Sequence, residues 1–411
     1  MMRCAANKKG VSIIAALVIM LLVAVMAATI VSLLGTNTMN SVNYMQSQQA
    51  FYLAESGIQK GLLALSKSDW TGWSGTDPKT IQATLSGYGD YDVSMASPTG
   101  TTPEITAIGY IPSRTATQQA KRVVYVKVTK SSLFGNYASF SGGSGGGSSI
   151  GAGLTGNSAT DSYDSSIGRY NVDGNIGLHG DVGTNADITV GGTATIGGNA
   201  TTGPSGTFNN AAAVSGSIAH DANVTLPPVV VPTSLTGLAG EGTISSTATP
   251  ITGDHKYTAF TPKNKDTITI TGPANIYITG STSMDVKSGG AIVVSSASTG
   301  PVVVYFAGNL DIKGDINNLT YLPSNFQMYG SNGTSQSIAI TSQSDMYAAV
   351  YAPNGALTFH GQGGLFGSFI GDTMNMWGGS AIHHDDALSS LASLPSFVPG
   401  AYVPSDWKEI Y

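Results

Sequence analysis

The chain is poor in charge. Of its 411 residues, only 10% are Asp, Glu, Lys or Arg, far below the roughly 25% of an average soluble domain. The net charge of -6 supplies no basic face for a phosphate backbone, so nucleic acid is not an expected partner. There is one cysteine, Cys4. No disulfide can form within the chain, and in an oxidising compartment packing and hydrogen bonds must hold it together. Cys4 also precedes the apolar run described below, so it cannot be a lipoprotein anchor left after cleavage of that run. No paired cysteines and no G-x-x-x-x-G-K-[ST] phosphate loop occur. Proline is missing before Pro78, and charge is missing between Lys9 and Glu55.

Glycine, with 53 residues, is over-used, and the hydrophobic share is 41%. That share argues against disorder. Together the two suit an extracellular, mainly β protein with many tight turns.

The proline-free start organises the chain. Val11 to Leu34 is a 24-residue apolar run whose polar members are Ser12, Thr29 and Ser32. About 20 residues span a hydrocarbon core. Arg3, Lys8 and Lys9 precede the run, which leaves the N-terminus cytoplasmic and the bulk of the chain outside. A cleaved signal peptide would need a shorter apolar region ending in a small-residue site. Ala24 to Ala28 is the nearest match, and the run continues past it. Periodicity predicts one helix over 11–66, roughly 80 Å long. In its second half Phe51, Ala54, Ile58, Leu62 and Leu65 share one face, with Gln49, Glu55, Gln59 and Lys60 opposite. Such a face should bury against a globular domain. Gly57 and Gly61 cost helix propensity and suit close approach of a sheet or another helix.

A basic leader ending in Lys9-Gly10, an immediate apolar segment from Val11, and QAFYLAESGIQKGL in the second half resemble the N-terminus of type IV pilin-like proteins, most of all the PilX-type minor pilins. The resemblance covers about the first 66 residues. It implies a leader over 1–10, cut after Gly10 by a prepilin peptidase that methylates Val11. It also implies partners among other pilin subunits and the inner membrane. Major pilins carry a glutamate five residues after the cut, where this chain has Ala15. In the family that carboxylate pairs with a neighbour's terminal ammonium, and a buried amine without such a partner is costly. PilX-type and K-type minor subunits commonly lack it, and some sit at a filament tip.

Beyond the helix, 67–135 reads as a small antiparallel sheet on the helix face. Its strands are GDYDVSMAS (Tyr91, Val93, Met95 alternating), EITAIGYI (Ile105, Ala107, then Tyr110) and KRVVYVKVTK. Residues 136–153 read as a Gly/Ser linker. A Gly-rich β region follows over 154–240, with a proline-rich crossing from Leu226 to Leu235. Over 241–411 the rhythm strengthens. Apolar pairs at Ile268/Ile270, Ile276/Ile278, Met284/Val286 and Ile292/Val294 recur every eight residues. Short strands with glycine corners suit the stacked coils of a parallel β-helix. An antiparallel β-sandwich is the alternative. The segments TDSYDSSIGRY, VYAPNGALTFHG, GLFGSFIG and AIHHDDAL resemble a poorly described domain that often follows PilX-like N-termini in bacterial envelope proteins. That resemblance implies no activity.

Candidate chemistry is sparse. His383, His384, Asp385 and Asp386 are consecutive, with His360 upstream. On a strand they supply two ligands per face, whereas a metal needs three or four. A polar turn with an Asp cap is the simpler reading, and no metal or other cofactor is expected. Asp161 and Asp164 suit Asx turns. Asp311, Asp315, Asp345 and Asp372 are scattered and form no catalytic pair. Tyr305, Tyr321, Tyr329, Tyr347, Tyr351 and Trp377 could stack on sugars or fill core and edge positions. The expected role is that of a minor pilin-like structural subunit and not an enzyme. It would assemble through its helix from the inner membrane into an extracellular filament, and prime or cap the tip. A surface or polysaccharide-binding adhesin is the alternative, and a polysaccharide-active enzyme the third reading.

Overall fold

The structure is a computed structural model describing residues 8–67, 69–98, 102–143, 150–341, 343–390 and 400–410. The fold is mainly β, with one long N-terminal helix, an antiparallel sheet and a large parallel sheet. The chain forms two compact units. One comprises 1–129 and 402–411, the other 130–401.

In the first unit, α1 runs unbroken over Lys8–Lys67, as the absence of proline allows. It ends where Asp69 N–H donates to Ala64 O and the Asp69 carboxylate accepts from Thr71 N–H. The sheet holds β1 (Lys79–Leu85), β2 (Gly89–Ala96), β3 (Glu104–Ile111) and β4 (Ala120–Ser132), with the chain's last strand, Gly400–Ile410, beside β4. The β1–β2, β2–β3 and β3–β4 ladders are antiparallel. Arg122 Nη1 lies 3.0 Å from Glu409 Oε1, and Ser405 Oγ donates to Lys127 O. β1 and the C-terminal strand were not among the three strands expected. The latter takes residues 400–410 out of the predicted 241–411 domain.

Alternation sets the sheet's core face. Tyr91, Val93, Met95, Ile105, Ala107, Val124, Val126 and Val128 are buried there. Tyr110 was expected on this face and is not. The alternation continues through Gly109 without a break, so Gly109 and Ile111 point to the helix and Tyr110 points away. The reason is contact distance: a Cβ on Gly109 would sit 1.9 Å from Ala50 O. Glycine lets the strand reach the helix backbone there.

The second unit is one sheet of parallel ladders, which sets aside the antiparallel sandwich. Three ladders recur. The first joins, in order, 253–257, 274–278, 302–306, 326–330, 349–351, 369–371, 139–141, 182–184, 200–201 and 218–219. The second runs from 243–244 through 336–340 and 373–376 to 152–154 and 187–190. The third includes 267–270, 291–294 and 315–318, and later 364–366, 381–385, 159–163 and 195–196. The eight-residue step is the distance from one ladder to the next. All eight residues of the four apolar pairs are fully buried.

Stack order is therefore not chain order. The chain joins the stack in its middle at Ser139, winds to one end at Ala219, crosses to the other end at Thr243, and winds back to the middle at Asp385. The predicted divide between 154–240 and 241–411 does not exist as a domain boundary. Nor is 136–153 simply a linker. Ser139–Ser141 and Ile150–Leu154 are strands, because Phe140 fills a buried site and draws its neighbours into the ladder. Of the predicted linker, only 144–149 lie outside the described residues.

The crossing itself is a strap. Parallel register aligns Tyr277, Tyr305, Tyr329, Tyr351, Ile370 and Phe140 in a row on the outer side of the first ladder. Ala222, Val224, Leu226, Val229, Val231, Leu235 and Leu238 pack over that row. The prolines of LPPVVVPTSL suit an extended segment without ladder bonds of its own. Asn185 pins one end by exchanging two hydrogen bonds with Val224. Lys256 Nζ donates to Thr236 O at the other.

Candidate functional site

Two regions carry the residues singled out from the sequence. The first is α1. Lys9, Gly10 and Val11 lie in its first turns, and their side chains lie outside the described set, as do residues 1–7 of the predicted leader. From Ala15 to Met45 every residue is exposed. Leu17, Ile19, Met20, Leu21, Leu22 and Val23 each leave half or more of their surface uncovered. By length and composition this segment can cross a membrane. An apolar surface of this extent on a folded chain calls for a partner of its own polarity, lipid or protein.

The second half of α1 is used differently. Ala54, Ile58 and Leu65 are buried against the sheet, and Phe51 and Leu62 are half-buried. The centre of the packed face also takes in Ala50, Leu53, Gly57, Gly61 and Ala64. A Cβ on Gly57 would lie 3.0 Å from both Ala107 Cβ and Val93 Cγ2, and one on Gly61 would lie 3.0 Å from Ile105 Cγ2. The two glycines serve helix-to-sheet contact.

The second region is the polar seam of the parallel unit, where 381–385 pairs with 159–163. His383 and His384 point to different places. His383 Nδ1 lies 2.5 Å from Asp161 Oδ1, and its ring stacks on Phe366 and meets Tyr170 at a tilt. His384 is buried, with Nε2 2.8 Å from Phe134 O and Nδ1 3.3 Å from Asp386 Oδ1. Asp385 is fully buried. It accepts from Ser165 N–H, Ser165 O–H and Ala387 N–H, the last as a cap on 386–390. Burial pushes its carboxyl up, against those hydrogen bonds. Burial also pushes Asp386 up, but the hydrogen bonds and charges of His384 and His179 outweigh it and hold the carboxyl below its ordinary range. Among the described residues, no three His, Cys, Asp or Glu side chains converge to hold a metal ion.

Beside the seam lies a cleft of about 660 Å³. Its walls include Tyr137, His179, Asp181, Asn199, His384 and Asp386. His179 Nδ1 lies 3.1 Å from Asp386 Oδ2. Asp181 accepts from both the backbone and the side-chain amide of Asn199. Of these six, sequence reasoning singled out only His384 and Asp386. The rest come from segments some 200 residues away, and no local spacing announces the meeting.

The other residues weighed as chemistry have structural work. Asp311 pairs with Lys313, Asp315 accepts from Ser344 O–H, and Asp345 accepts from Gly364 N–H. Tyr305, Tyr329 and Tyr351 lie under the strap. Tyr347 packs on Phe366, and Tyr321 packs edge-on to Tyr347. Trp377 is part-exposed next to His360.

A family model described as a domain of unknown function, DUF7305, matches residues 246–391. That span covers only the part of the parallel stack that winds from Ile251 back to the seam. No curated protein matches the chain. Among solved structures, the competence-associated pilin ComZ from Thermus thermophilus aligns over 89% of this chain and 98% of its own, with 10% identity and a TM-score of 0.25.

Proposed function

We propose that the chain is a PilX-type minor pilin-like subunit of a type IV pilus or related filament. One observation carries this reading. A single helix, Lys8–Lys67, is exposed and apolar over its first half and packed on a sheet over its second, with no break between. A plain membrane anchor needs only the first half. A helix that must leave a bilayer and enter a filament core needs the apolar half to be continuous with the half that holds the head.

In this reading the apolar segment waits in the inner membrane with its N-terminus cytoplasmic, is released by a prepilin peptidase after Gly10, and then packs against other such helices outside the cell. The parallel unit is a β-helix displayed at or near the filament tip, where a subunit with Ala15 in place of the usual glutamate lacks nothing. Its role is structural, not enzymatic.

The test is intact-mass and N-terminal analysis of the protein from its native membrane. The expected product begins at methylated Val11. A chain beginning near Thr29, or still at Met1, overturns the reading.

The adhesin alternative gains from one feature and loses from another. The tyrosine row, the most obvious sugar-stacking strip, is sealed under the strap. The cleft beside the seam is open.

A further inference from the structure

We infer that the cleft beside the seam is a binding site for a short neutral glycan bearing N-acetyl groups. The inference extends the display role proposed above by naming what the displayed unit holds.

The cleft is built, not incidental. At about 660 Å³ it falls within the roughly 300–1,000 Å³ of small-molecule sites. Its side chains are fixed before any ligand arrives. Asn199 clamps Asp181 through two hydrogen bonds of 2.7 and 2.9 Å, and His179 and His384 flank Asp386 at 3.1 and 3.3 Å. His384 is only 1% exposed, lines the cleft, and is held by Phe134 O at 2.8 Å and by Asp386 Oδ1 at 3.3 Å.

The lining selects the ligand class. Among the described residues no Lys or Arg lines the cleft, while Asp181 and Asp386 do. Phosphorylated, sulfated and uronic-acid ligands are therefore disfavoured. What remains is a set of carboxylate, amide, imidazole and hydroxyl groups, the partners that sugar hydroxyls need. The exposed ring of His179 stands at the cleft, which Tyr137, packed against Phe140, also lines.

The acetamido preference comes from the neighbour. A second cleft of about 440 Å³ shares Asp386 with the first. Its lining includes Ile167, Val172 and Ile176, all exposed, beside Asp164, Asp173 and Asn175. Three exposed apolar side chains thus stand beyond the shared carboxylate. A sugar with a methyl-bearing acetamido group uses both sides, and a plain hexose uses only the first.

The experiment uses the full chain in detergent micelles, titrated with N,N′,N″-triacetylchitotriose and, separately, with cellotriose, which has the same skeleton without acetamido groups. Binding is followed by ligand-observed NMR and calorimetry. Expected is saturable binding of triacetylchitotriose, at least tenfold weaker for cellotriose, and at least tenfold weaker in His179→Ala and in Asp181→Asn. Circular dichroism checks that both variants fold. No binding of triacetylchitotriose overturns the inference. So does equal affinity for the two trisaccharides, or binding unchanged in both folded variants. The result does not depend on where the mature N-terminus lies, so it can fail while the pilin reading stands, and the reverse.

Discussion

His383 Nδ1 and Asp161 Oδ1 meet at 2.5 Å across 222 residues of sequence. Tyr170 Oη donates to the other oxygen of the same carboxylate at 2.6 Å, and its ring lies 3.9 Å from the His383 ring. Burial and the Asp161 bond push the Tyr170 hydroxyl well above its ordinary range, so it stays a donor. This trio fastens the two halves of the parallel stack where they join. Asp161→Ala should strand a mostly buried imidazole and a phenol at once, costing about 2–3 kcal/mol. Hydrogen exchange at amides 159–163 and 381–385 should rise in that variant. Protection unchanged from wild type would show that the trio is not a fastener.

The helix-to-sheet contact has no slack at Gly109. A Cβ there would overlap Ala50 O at 1.9 Å, so Gly109→Ala must push the helix off the sheet. The expected loss is about 2–4 kcal/mol. Gly57→Ala meets side-chain atoms at 3.0 Å and should cost less, about 1–2 kcal/mol. Trp70 and Trp73 pack against this core, and their fluorescence during urea unfolding reads both values.

The strap's hold on the stack includes Tyr351 Oη donating to Pro227 O at 2.7 Å. Tyr351→Phe removes that bond and should cost about 1 kcal/mol. Tyr329→Ala, beneath the strap, should cost about 3–5 kcal/mol. Limited proteolysis should then cut within 226–235 faster in Tyr329→Ala than in Tyr351→Phe, and in both faster than in wild type.

Acid should weaken the helix-bearing unit through Asp90. Its carboxylate accepts from Arg114 N–H at 2.7 Å, and that bond, with help from Thr84, holds it below its ordinary value of 3.8. A carboxyl depressed on folding contributes stability that is fully present above its unfolded pKa, near 3.9, and is lost as pH falls through the lower folded value. The urea midpoint followed at Trp70 and Trp73 should therefore drop below about pH 4. Asp90→Asn should lower the midpoint at pH 7 and flatten the acid slope. A slope equal to wild type would remove Asp90 from the account.

Local signals in the sequence were legible. The bounds of α1, its packed face and the buried alternation of β2 and β4 all follow from period and propensity. The eight-residue step correctly marks the corners between ladders. What was not legible is order. Nothing near Ser139 says that it pairs with Phe369, and nothing near Gly400 says that the last strand leaves the parallel unit to lie beside β4. Such pairings are decided by which buried surfaces fit over hundreds of residues, and a one-dimensional pattern does not carry them. Phe140 shows the cost of reading composition alone. One aromatic residue among serines and glycines turns an apparent linker into a rung. The tyrosines show the same limit, since their row exists only once the coils are in register.

Because the chain leaves the helix-bearing unit after β4 and comes back through Gly400–Ile410, the parallel unit is tied covalently through β4 and a second time through a terminal strand held in the sheet by non-covalent pairing. A protease that nicks the second crossing leaves the covalent tie, and one that nicks the first leaves the parallel unit held by that pairing alone. Tension on that unit divides between two neighbouring strands of one sheet, joined by the Arg122–Glu409 ion pair and the Ser405–Lys127 bond.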